Sequence, residues 1–146
     1  MFWHRKPRSV NRHVDGKRSV SDSVLGELLL SDDDDYWEST VAIDGKPLQF
    51  QLSGDPQPSP AVLSHAHDIV RDFADFSRTM SEFLESEAER CGGAAHEIRQ
   101  LVLESVCLCW PQRPDDGMLY FKGPDEYRLW RCNYINRKPQ GLGFDD

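Results

Sequence analysis

The chain of 146 residues contains no apolar run approaching the roughly 20 residues of a membrane-spanning helix, so no such helix is expected. Its first residues, Met1-Phe2-Trp3-His4-Arg5-Lys6, lack the apolar stretch of a signal peptide, and the expected location is cytoplasmic. Cysteine is sparse: Cys91, Cys107, Cys109 and Cys132. In a chain of this size they read as reduced cytosolic thiols rather than a secreted disulfide framework. Apolar residues make up only 38%, so part of the chain is expected to add nothing to the core. A domain this long still buries about 70% of its unfolded surface and needs no metal or disulfide to fold. Nucleotide and hydrolase motifs are also missing: there is no Walker loop, G-x-G-x-x-G, H-E-x-x-H or G-x-S-x-G.

Charge is unevenly placed. Residues 1–22 carry six Lys/Arg against Asp15 and Asp22, whereas residues 23–146 carry 11 Lys/Arg against 23 Asp/Glu. A body with a balance of −12 repels phosphate backbones and attracts basic partners, so no nucleic acid is expected to bind through it. The basic segment 1–22 has almost no periodic apolar residues and reads as a flexible arm, leaving 23–146 as one domain.

Alternation marks the strands. Val24–Leu30 reads as a strand and Ser31–Asp35 as a polar loop, after which Trp37, Ser39, Val41 and Ile43 alternate with Glu38, Thr40 and Ala42. Asp44-Gly45 suits a two-residue type I′ turn into Leu48, Phe50 and Leu52. Ser59 and Pro60 form a helix-start signal. An apolar stripe then runs from Val62 through Phe73, Phe76 and Phe83 to about residue 89, with a possible break near Ser77 and an end at Cys91-Gly92-Gly93. Leu101–Trp110, Met118–Lys122 and Tyr127–Ile135 follow as strands, with a turn at Asn136–Gln140. The expected fold is α+β: an antiparallel sheet, built from an N-terminal meander and C-terminal hairpins, with one long amphipathic helix on one face.

The side chains point away from catalysis. Cys107 and Cys109 share one strand face without the loop-borne spacing of a zinc site, and are expected reduced, buried and metal-free. His65 and His67, two apart on a helix, cannot chelate one ion. Asp32–Asp35 lacks the spaced ligands of a calcium loop. Cys91 with His96 is the one nucleophile–base pairing, and it lies past a helix C-terminus where the dipole disfavours a thiolate. Neither a catalytic residue, a metal nor a cofactor is therefore expected. Surface chemistry remains: Asp32, Asp33, Asp34 and Asp35 run into Tyr36, and Tyr120, Tyr127 and Trp130 lie on the C-terminal hairpin. Rings beside charge suit a partner surface, where the ring anchors and the charge steers. Trp37 falls on the buried face by alternation.

Across residues 24–146 the chain resembles a group of small bacterial domains with a W-x-G/S-x-V-x-I-D-G-K hairpin, a long helix and closing hairpins. The matching pieces are Leu28–Asp35, Trp37–Lys46, the helix from Pro60, Leu103-Glu104-Ser105-Val106 and Leu142–Asp145. Such domains are similar to immunity proteins of polymorphic toxin systems. The resemblance implies a small, acidic, non-enzymatic protein that occludes a cognate toxin or effector domain, itself expected to be basic. The alternative is an interaction or scaffold domain unrelated to toxins.

Overall fold

A computed structural model describes residues 10–14, 17–33 and 35–145. They form one nine-stranded sheet whose strands lie side by side in sequence order. The strands are β1 (Val10–Val14), β2 (Lys17–Asp22), β3 (Gly26–Leu30), β4 (Trp37–Ile43), β5 (Lys46–Leu52), β6 (Val102–Leu108), β7 (Gly117–Lys122), β8 (Leu129–Ile135) and β9 (Lys138–Asp145). Between β5 and β6 come α1 (Pro60–Arg71), α2 (Phe73–Arg90), a 3-10 turn at Gly92–Ala94 and α3 (Ala95–Ile98). No helix among the described residues is long and apolar enough to cross a membrane.

The α+β class matches the expectation, and three of its details are corrected. First, β5 and β6 pair in parallel, so the sheet is mixed rather than purely antiparallel. Every other neighbouring pair in the sheet is antiparallel. The helical crossover instead brings β6 back in the direction of β5.

Second, the helix is not continuous. It breaks at Asp72 (φ −108°, ψ 37°), before Ser77, and Asp72 closes α1 through its N–H to the Asp68 carbonyl at 2.9 Å. Ser59 precedes α1 but makes no side-chain capping bond. Third, Lys17–Asp22 is strand rather than arm. Val20 opposes Leu28 and Ser19 opposes Leu29, and Val20 is only 3% exposed. Pairing with β2 covers what would otherwise be an open edge of β3. Phe2 and Trp3, with the rest of residues 1–9, lie outside the described residues.

Two hairpin turns share one geometry for different reasons. Asp44 and Gly45 take φ of 52° and 78°, as an Asp-Gly pair allows. Asn136 and Arg137 take φ of 52° and 66° without a glycine. There the 111–116 loop holds the turn: Asn136 N–H donates to the Asp116 carboxylate at 2.9 Å, and Arg137 N–H to the Asp115 carbonyl at 2.9 Å. The guanidinium of Arg137 pairs with Asp115 at 2.7 Å and Asp68 at 3.1 Å. This clamp lets β9 begin at Lys138, inside the stretch read as a turn.

The helices and one sheet face enclose the core. Trp37, Leu48, Phe50, Leu52, Val106, Leu108, Leu119 and Phe121 meet Val62, Ala66, Ile69, Phe76 and Met80 there. Val41, Ile43, Phe73 and Phe83 pack against this core but remain partly exposed. On the second face the register places Glu38, Gln51, Cys107, Met118 and Asn133 in one row across five strands. At one point the sheet opens. β5 joins β6 only from Gln49–Ser105 onward, and β6 shifts register on β7 between Leu103 and Ser105. Pro47, which has no N–H to donate, precedes the junction.

Candidate interaction surface

Ser31 builds the acidic loop. Its N–H donates to the Tyr36 carbonyl at 2.7 Å, and its hydroxyl accepts from the N–H groups of Asp35 and Tyr36, each at 3.1 Å. A loop whose backbone is bonded internally in this way presents its side chains outward. Asp32, Asp33 and Asp35 are exposed, and Asp34 lies outside the described residues.

Tyr36 leaves that loop half-buried and within hydrogen-bonding reach of Cys107. Cys107 is buried and Cys109 partly exposed, which corrects the expectation of two buried thiols. The Cys107 thiol donates to Cys109 and, with burial acting in the same sense, is held far above its ordinary value. Cys109 is drawn down to about 7, first by that bond and further by the Arg113 guanidinium. Arg113 also lies over the Trp110 ring at 4.7 Å. The charge of the Cys107–Cys109 pair, together with burial, holds the Tyr36 phenol above its usual range. Tyr120 opposes Ser105 on β6 and Arg131 on β7's other neighbour, β8. Burial, then the negative charge carried by the coupled Cys107–Cys109 pair, raises its phenol too. Beyond it Arg131 pairs with Asp145 at 3.0 Å.

The structure thus brings the acidic loop, Tyr36 and Tyr120 to one region of the helix-free face. Tyr127 is not part of it. This ring is 83% exposed in the β7–β8 turn, at the far end of β7 from the thiols. Trp130 corrects the sequence reading outright. It is 3% exposed on the helix side, its indole N–H donates to Glu97 at 2.7 Å, and its ring meets Phe144 at 4.7 Å. On β8 the buried positions are Trp130, Cys132 and Tyr134, so this indole cannot face a partner. Trp37 is fully buried as alternation indicates, its indole bonded to the Gly54 carbonyl at 3.0 Å.

His65 and His67 are both held by hydrogen bonds. His65 is 1% exposed. The Pro114 carbonyl can only accept, so Nδ1 carries the proton and Nε2 accepts from the Tyr134 hydroxyl at 3.1 Å. Burial lowers the His65 pKa. His67 turns the other way and bonds Asp22 at 2.8 Å, while Asp22 also accepts from the N–H groups of Val24 and Leu25. Among the described residues no group of three or more His, Cys, Asp or Glu side chains is placed to hold a metal ion. Cys91 ends α2, and His96 is exposed on α3.

Comparison with protein-family models, curated proteins and solved structures finds no match to the chain.

Proposed function

We propose that the chain is a non-enzymatic immunity protein that neutralises a cognate bacterial toxin or effector domain. It would meet a basic surface of that domain with Asp32, Asp33 and Asp35, and anchor there through the adjoining Tyr36 and Tyr120. The observation that carries the reading is the exposed acidic loop, closed by Ser31, that delivers Tyr36 to a helix-free sheet face. Carboxylates so placed attract a cationic cleft over distance, and the half-buried rings supply contact area at low entropic cost. In a toxin acting on nucleic acid, these carboxylates would occupy the positions of substrate phosphates.

Co-expression tests the reading. Where a gene adjacent to this one encodes a lethal C-terminal domain, cells carrying this protein should tolerate that domain, and the purified pair should co-elute. Growth arrest despite stable expression of both, with no complex formed, would overturn it. Binding without rescue would assign the chain to scaffold domains instead.

A further inference from the structure

The opening between β5 and β6 forms a cavity of about 470 Å³ at the end of the sheet opposite the acidic loop. Pro47, Val102, Leu103 and Pro124 supply apolar wall, and Lys46 and Lys122 stand at the rim. Its size lies within the range of small-molecule sites, roughly 300–1,000 Å³. A second lobe of about 220 Å³ continues past Lys46 and Pro47 to Phe73, just beyond the helix break. Val102 is 55% exposed there, although it begins a central strand. Lys46 and Lys122 are exposed and, among the described residues, form no ion pair. Glu104 also lines this cavity and Asp44 the second lobe, and Glu97, paired with Arg128 and the Trp130 indole, lies beside Gly123.

We propose that this cavity binds a small amphipathic carboxylate, its chain along Pro47, Val102 and Leu103 and its head group at the lysines that line it, Lys46 and Lys122. The strand separation creates the space, the absent N–H of Pro47 helps keep it open, and the two lysines set the sign of the head group. Glu104 and Asp44 confine the anion to the neighbourhood of the lysines and disfavour a second negative charge. This site is independent of the acidic-loop surface, so it stands or falls apart from the toxin-binding reading.

Isothermal titration of the full chain with decanoate, decanol and decylammonium provides the test. Decanoate should saturate one site per chain, and the other two should bind at least about tenfold more weakly. The double variant Lys46→Gln, Lys122→Gln should weaken decanoate about tenfold or more and leave decanol unchanged. Val102→Trp adds bulk at an exposed position and should remove decanoate and decanol binding together, with thermal unfolding confirming that each variant folds. Decylammonium binding as tightly as decanoate would overturn the proposal. So would decanoate binding that survives both variants, or no saturable binding below its micelle concentration. A dimer seen by light scattering and abolished by Val102→Trp, with decanoate silent, would assign the groove to a second copy of the chain and also overturn it.

Discussion

Single residues set the chemistry of the two sheet faces. Cys107 and Cys109 share a bond but not a protonation state: Cys107 keeps its proton, and Cys109, beside Arg113, titrates near 7. The thiolate is the species that alkylates. Iodoacetamide labelling should therefore reach Cys109 well before Cys107 and before Cys132, which burial pushes up to about 12. The Cys109 rate should rise with pH through a midpoint near 7, read by peptide mass spectrometry, and equal rates at the three thiols would refute this.

Two polar residues give stability a pH dependence. Burial lowers the His65 pKa, so its contribution is complete above the unfolded imidazole value of about 6.5 and is lost as pH falls below it. For Asp22 burial pulls upward, but the N–H groups of Leu25 and Val24 and the His67 ring outweigh it and leave the carboxyl low. Its contribution is present above about 3.9 and disappears as pH falls through the lower folded value. Denaturant midpoints across pH should lose the upper step in His65→Gln and the lower one in Asp22→Asn.

At the scale of elements, β2 and the helix break carry the information that periodicity lacked. A single apolar residue, Val20, is too little to mark Lys17–Asp22 as strand, yet it is buried against the core. Val20→Asp should cost about 2–5 kcal/mol in urea unfolding, because a carboxylate would replace an apolar group with no partner in place. A change below about 0.5 kcal/mol, typical of exposed positions, would return the segment to a flexible arm. The Asp44-Gly45 hairpin was legible because its turn chemistry is local. The Asn136-Arg137 turn was not, since Asp115, Asp116 and Asp68 hold it from outside.

For the whole molecule, charge distribution decides how partners approach. Residues 23–146 carry a balance of −12, and the acidic loop concentrates part of it at an exposed tip. Replacing Asp33 and Asp35 together with Lys should slow association with a basic partner about tenfold at low salt, and much less near about 0.5 M, where screening shortens the reach of exposed charge. Folding stability should move by less than about 0.5 kcal/mol. A stopped-flow salt series reads both limits, and an unchanged rate at every salt would move the contact away from this loop.

Patterns within a few residues were enough to establish the α+β class, the Asp44-Gly45 hairpin, the start of α1 at Pro60, the burial of Trp37 and the acidic loop before Tyr36. Each follows from alternation, helical spacing or turn chemistry, whose physics lies within one element. Tertiary structure alone decided the parallel β5–β6 pair, the inward face of Trp130, the meeting of Tyr36 with Cys107 and the opening beside Lys46 and Lys122. These depend on contacts between residues far apart in the chain: the helical crossover fixes strand direction, Glu97 bonds the indole, and β5 meets β6 only from Gln49–Ser105 onward.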